Sequence, residues 1–191
     1  MELPDNLNFL LVEDMVSDSF LLQRQLKKIS KDPEIRFVDS EISLINALKT
    51  FIPDMVLTDY NLVGMNAFDV LRITKEYNNK IPVVVITGQL KYESDSEELI
   101  KKGAEGFFLK EPINTLNERL LPLFRQIVER DKQQLESLNK ERRKYAYGKS
   151  NSDFLREHNF GSSDEDDEEE EKVAPKTFWE SLKSLFRSSE A

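Results

Sequence analysis

The chain has 191 residues, with 36 Asp+Glu against 27 Lys+Arg and a net charge of −9, so it has room for one domain of the common ~100–150-residue size plus an appendage. Its excess acid is local: Asp164–Glu171 is an unbroken acidic run, the rest of the chain is close to neutral, and such a run repels phosphate backbones, which argues against nucleic acid as a partner. The absence of cysteine excludes disulfides, thiolate metal sites and cysteine nucleophiles; the longest apolar runs, such as Phe9–Val12 and Val83–Ile86, fall far short of the ~20 residues of a membrane helix, and Met1–Asp5 lacks the basic flank and apolar core of a signal sequence, so a soluble cytoplasmic protein is expected.

From Asn8 onward, short β-rich runs alternate with amphipathic segments. Strands are predicted at Phe9–Val12, Ile35–Val38, Met55–Thr58, Pro82–Thr87 and Gly106–Leu109, several of them near-continuous apolar runs suited to burial on both faces. Helices are predicted at Ser17–Lys28, Glu41–Thr50, Ala67–Tyr77 and Ser94–Lys102. Ser40 stands where an N-cap belongs and Gly103 where a left-handed C-terminal residue belongs. A fifth helix follows Pro112, because Leu116, Leu120, Phe124 and Ile127 recur at helical spacing. Pro122 either kinks it or marks where its regular part begins. Five β/α units with short connections predict a doubly wound α/β domain with a five-stranded parallel sheet, over residues 5–128.

Residues 129–148 are charged but helix-friendly and read as a solvated continuation of the fifth helix, since sustained heptads are missing. Residues 149–176 read as a disordered acidic linker that also contains His158, the one histidine. Thr177 and Glu180 then have the spacing of a capping box. Phe178, Trp179, Leu182, Leu185 and Phe186 gather on one side of a short amphipathic helix at 177–189, a candidate docking element.

In an open parallel sheet, ligands bind beyond the carboxyl ends of the strands. Glu13 and Asp14, Asp59, Thr87 and Lys110 all stand at those ends. Clustered carboxylates call for a cation, and an all-oxygen donor set points to Mg²⁺. A lysine supplies a point charge for phosphate, a threonine hydroxyl can hydrogen-bond a phosphoryl oxygen, and an Asp carboxylate can form an acyl phosphate. The cluster therefore reads as a phosphoryl-accepting site. A haloacid-dehalogenase-type hydrolase also uses a strand-end Asp with Mg²⁺, but its second Asp would stand where Asn61 does.

Leu11–Asp14, Asp54–Asp59 with Asn61 and Met65, Val83–Gly88 and Gly103–Lys110, in that order and spacing, resemble the receiver domain of bacterial two-component response regulators over about residues 7–128. The resemblance implies a flavodoxin-like fold in which Asp59 accepts a phosphoryl group from a sensor histidine kinase or phosphotransfer protein. It implies that Glu13, Asp14, Asp59 and the backbone carbonyl of Asn61 bind Mg²⁺, that Lys110 pairs with the phosphoryl oxygens, and that Thr87 and Phe107 form a switch pair. The output face would be the fourth helix, the fifth strand and the fifth helix. Asn61 and Gln89 occupy positions that tune phosphate loss in the family. Glu111 separates Lys110 from Pro112, where the family usually has Pro directly after the lysine, and Val63 and Ala67 replace a common Pro and Gly. The expected protein is a phosphoacceptor switch that assists its own phosphorylation and dephosphorylation, not an enzyme acting on a separate substrate. It would be a monomer or a phosphorylation-dependent dimer, signalling by protein contact through the C-terminal helix; the competing reading is a receiver-like scaffold that works without phosphorylation.

Overall fold

The structure, a computed structural model, describes residues 3–88, 93–140 and 142–143. The linker at 149–176 and the terminal segment with Phe178, Trp179, Leu182, Leu185 and Phe186 lie outside the described residues, as do Gln89 and His158.

Five parallel strands form one sheet: β1 (Asn8–Val12), β2 (Glu34–Val38), β3 (Met55–Asp59), β6 (Val83–Thr87) and β7 (Gly106–Leu109), in the order β2-β1-β3-β6-β7. Two short strands, β4 (Asn61–Leu62) and β5 (Met65–Asn66), make a separate antiparallel hairpin directly after β3. The central strands β1 and β6 are buried at every position, whereas β2 lies at an edge and is largely accessible. That difference is the one a sheet covered on both faces demands, because only its middle strands lose water on both sides.

The helices are α1 (Val16–Ile29), α2 (Glu41–Thr50), α3 (Ala67–Tyr77), α4 (Glu93–Lys101) and α5 (Leu116–Arg130), the last entered through a 3₁₀ turn at Ile113–Thr115. The strand order reverses direction after β2, so right-handed crossovers place α1 and α5 on one face of the sheet and α2, α3 and α4 on the other. On the first face Leu22 and Leu26 of α1 and Leu120, Phe124 and Ile127 of α5 close over Phe9, Leu11, Leu57, Val84 and Ile86. Phe9 and Phe124 stack at 5.7 Å between ring centroids. Full burial of one such side chain stabilises the fold by roughly 1.5–3 kcal/mol.

Local chemistry sets the ends of the helices. Ser40 precedes α2, and its backbone N–H donates to Ser43 Oγ at 3.1 Å. Asn66 caps α3, accepting from Phe68 N at 2.8 Å, while Asp69 returns the favour by accepting from Asn66 N at 3.0 Å, a reciprocal capping box. Gly103 takes φ +104° just past α4, as its position after that helix predicts. Ile52, at φ 52°, turns the chain after α2 in a region that costs a β-branched residue about 1–2 kcal/mol.

Two expectations change. Pro122 sits inside α5, which runs unbroken from Leu116 to Arg130; the regular helix does not wait until Pro122, because Pro122 faces solvent and water can reach the carbonyl its missing N–H leaves unpaired. The extension is also not a solvated continuation of α5. That helix ends at Arg130 with Asp131 outside helical geometry, and a further helical stretch covers 132–140. Its Leu135 and Leu138 are buried, Leu135 joins the core against α5, and Gln134 Nε2 donates to Lys80 O at 3.1 Å. The compact unit reaches Leu138, ten residues past the predicted boundary at 128. Among the described residues no helix is long and apolar enough to cross a membrane.

Candidate functional site

The sheet changes direction between β1 and β3, the crevice where open α/β sheets hold their ligands. Glu13 and Asp14 follow β1, and Asp59 ends β3. Register pairing sets Thr87, the last residue of β6, opposite Leu109 of β7. Lys110 comes next, and its N–H donates to Thr87 O at 2.7 Å. The fold thus assembles residues from four strand ends.

Lys110 is the hub. Its Nζ donates to Glu13 Oε2 at 2.7 Å and to Asp18 Oδ2 at 2.7 Å, and stands 3.3 Å from Asp59 Oδ1. Burial alone would lower the pKa of this ammonium, but the bonds to Asp18 and Glu13 and the nearness of Asp59 outweigh it and hold it well above the ordinary lysine value. Burial pushes the carboxyl of Asp59 up, with Lys110 opposing and Asp14 adding to the rise. Burial likewise raises Glu13, against the pull of Lys110. These shifts describe a desolvated, negatively biased pocket with one fixed cation.

The remaining contacts position these groups. Glu13 Oε1 accepts from Met15 N at 3.1 Å, and Asp14 Oδ2 accepts from Val63 N at 3.0 Å. Val63 and Gly64 make the turn of the β4–β5 hairpin, with Gly64 at φ +83°, so Asp14 pins the loop that follows Asp59. Asn61 is exposed, opposite Asn66 in that hairpin. Arg119 of α5 donates to Leu109 O at 2.8 Å and Pro112 O at 2.9 Å, which clamps the loop carrying Lys110. The Glu111–Pro112 bond in that loop is cis. Phe107 is half-buried and meets the Tyr60 ring edge-on at 6.5 Å. Tyr60 also meets Phe68 edge-on at 6.4 Å, and its hydroxyl donates to Asp95 of α4.

Asp59 Oδ1 is buried and finds no hydrogen-bond partner among the described residues, although it lies within ion-pair distance of Lys110. Among the described residues no three carboxylates converge into a ready cation cage: the Lys110 ammonium pairs with both Glu13 and Asp59, while Asp14 turns to Val63. An orphaned carboxylate oxygen beside further acidic oxygens nevertheless matches a hard, oxygen-seeking cation.

The family model described as the response regulator receiver domain matches residues 9–121. The chain belongs to the response regulator receiver family. A receiver is a phosphoacceptor switch of two-component signalling. The regulatory protein LuxO of Vibrio vulnificus is 29% identical over 100 residues, an alignment that takes in 52% of this chain and 21% of LuxO. LuxO of Vibrio cholerae aligns to the same extent, also at 29% identity. The chain thus spans about a fifth of the length of these relatives. The fold matches the signal receiver domain of a LuxO repressor protein from Vibrio parahaemolyticus, with a TM-score of 0.56, 24% identity, and 66% of this chain and 95% of that one covered. It also matches NtrX from Brucella abortus, with a TM-score of 0.59, 24% identity, and 69% and 29% covered.

Of the predicted site residues, this receiver brings Glu13, Asp59 and Lys110 into direct ionic contact and keeps Asp14 within their field. Thr87 joins through its carbonyl, Phe107 lies against Tyr60, and Asn61 stays at the rim. Sequence reasoning missed Asp18, Tyr60 and Arg119. Asp18 stands in the first turn of α1, where an acid is ordinary, so its place in the site carried no signal in the sequence. Arg119 carried no local signal, because a lone arginine in a polar helix face is ordinary.

Proposed function

We propose that Asp59 is the phosphoryl acceptor of a two-component phosphorelay, loaded by a sensor histidine kinase or phosphotransfer protein. The observation that carries this reading is the desolvated Asp59 carboxylate, 3.3 Å from the Lys110 ammonium at the mouth of the β1–β3 crevice.

In the transfer, an Asp59 oxygen forms a bond to phosphorus while the bond from phosphorus to the donor imidazole nitrogen breaks, its electron pair leaving with the imidazole. Protein catalysis of such a step is mostly positioning and electrostatics. Asp59 attacks as the carboxylate, and its burial removes water that would otherwise shield it. Lys110, anchored through Thr87 O and the Arg119 clamp, follows the developing charge on the phosphoryl oxygens. Mg²⁺, held by Glu13, Asp14, Asp59 and the Asn61 carbonyl, would neutralise charge shared between acceptor and phosphoryl group. The Thr87 hydroxyl serves as a hydrogen-bond donor to the product, and Phe107, packed on Tyr60, turns with it as the readout. Reversal of these roles with water as acceptor returns Asp59 to its free state.

Output passes by protein contact, through the face of α4, β7 and α5 and through the segment at 177–189. Deleting residues 174–191 is expected to abolish binding of the downstream partner and leave phosphorylation unchanged; retained binding in a pull-down would remove the segment from the reading.

The test is direct. Wild type and Asp59→Ala are incubated with acetyl phosphate and Mg²⁺, and intact mass is followed. A metal-dependent phosphoryl adduct on wild type alone is expected. No adduct from either the small donor or a cognate kinase would replace this reading with a phosphorylation-independent scaffold.

A further inference from the structure

Lys110 serves three carboxylates with one ammonium. The two at 2.7 Å are Glu13 and Asp18, and Asp59 is the most distant at 3.3 Å. A phosphoryl group on Asp59 adds about two negative charges. The ammonium has three N–H donors, two of them held at 2.7 Å by Glu13 and Asp18, so drawing it in from 3.3 Å toward that group stretches one of these two bonds. Glu13 is fully buried and is tied down by Met15 N at 3.1 Å. Asp18 sits in the first turn of α1, about a third exposed, and its other oxygen accepts a long 3.3 Å bond from the neighbouring Ser17 hydroxyl. Asp18 loses least by releasing the lysine, because water can take the ammonium's place.

We propose that Asp18 is a positioning residue that holds the Lys110 ammonium back from Asp59 in the unphosphorylated chain, so that the strength of the Asp18–Lys110 pair sets how readily the site accepts a phosphoryl group. The proposal rests on the phosphoacceptor reading. Asp18 gains no proton and forms no covalent bond. With acetyl phosphate as donor, the acyl oxygen–phosphorus bond breaks with its electron pair leaving on acetate, the Asp59 oxygen–phosphorus bond forms, and Lys110 exchanges one anionic partner for another. Asp18→Asn removes both the competing partner and a negative charge beside the incoming one, and the two effects have the same sign.

The experiment compares wild type, Asp18→Asn, Asp18→Ser and Asp18→Glu. Beryllofluoride binding with Mg²⁺ is titrated by ¹⁹F NMR, the rate of acetyl phosphate labelling is resolved into its half-saturating concentration and its maximum, and the Lys110 ¹⁵Nζ resonance is recorded without metal or ligand. Because the pair is partly exposed, a gain of about three- to tenfold in beryllofluoride affinity is expected for Asp18→Asn and Asp18→Ser. The free-state Lys110 resonance should move toward its position in the loaded wild type, and Asp18→Glu should retain wild-type values. Equal or weaker binding by both neutral variants, with unfolding midpoints matching wild type, overturns the proposal while a loading wild type leaves the phosphoacceptor reading standing. If wild type itself neither binds beryllofluoride nor takes phosphate, both fall together.

Discussion

Asp59 illustrates how a residue at the centre of the candidate site can be costly to the fold. Burial raises its pKa, so the native state binds the proton more tightly than the unfolded chain does. Stability therefore falls as pH rises through the window between the ordinary carboxylate value and the raised native one. Asp59→Asn should consequently be more stable than wild type at pH 7, with the difference shrinking as pH drops toward about 4; urea midpoints at the two pH values check this, and a destabilised Asp59→Asn at pH 7 would contradict it. Burial acts in the same direction on Glu13. The acids and the lysine were legible in the sequence because their types and spacing along successive strand ends are chemically unusual. Asp18 was not, because a helix's first turn accepts an acid for electrostatic reasons that have nothing to do with a site.

Among the elements, the strands were read within a residue or so, since a run such as Val83–Ile86 has little choice once it is buried on both faces. The β4–β5 hairpin went unread: its strands have two residues each, too short for any periodicity, and only Gly64 hinted at a turn. Pro122 posed a choice that tertiary packing decided. Phe124, Ile127 and Leu120 are buried on the sheet, and their burial outweighs the hydrogen bond that proline cannot make. Pro122→Ala should therefore restore that bond without disturbing the core, raising stability by about 1–3 kcal/mol in urea unfolding. No gain would mean that the proline's ring contacts or its restriction of the unfolded chain offset the missing bond.

At the scale of the whole molecule, the surface beside Asp59 is unexpectedly apolar. Met15, Val16, Phe20 and Val63 are all exposed; Met15 and Val16 directly follow the site acids, Phe20 lies one helical turn beyond Val16, and Val63 is tied to Asp14. An exposed apolar patch beside a polar site is the usual composition of a protein-docking surface. Phe20→Glu is expected to slow transfer from a phosphorylated kinase by about tenfold or more while acetyl phosphate labelling keeps its wild-type rate. Equal losses with both donors would show that the substitution damages the site and not the docking. The fold class was legible because alternating elements and right-handed crossovers leave few topologies. Where the domain stops was not legible, because Leu135 and Leu138 stand isolated among charged residues and show no periodic face until α5 supplies one.

That misplaced boundary has a practical side. A fragment cut after Val128 looks complete by the length of its family match, yet it would lack Leu135, which packs on the core, and Arg130, whose guanidinium donates to both Glu105 oxygens at 2.8 and 2.9 Å. Such a fragment should unfold about 2–4 kcal/mol more easily than one ending at residue 143, as paired denaturant titrations would show; equal stability would make the 132–140 helix a passive passenger. Leu135 shares one core with Leu120, Phe124 and Ile127 of α5, so a rearrangement of α5 would be felt along the turns that carry Leu135 and Leu138 before any partner is met.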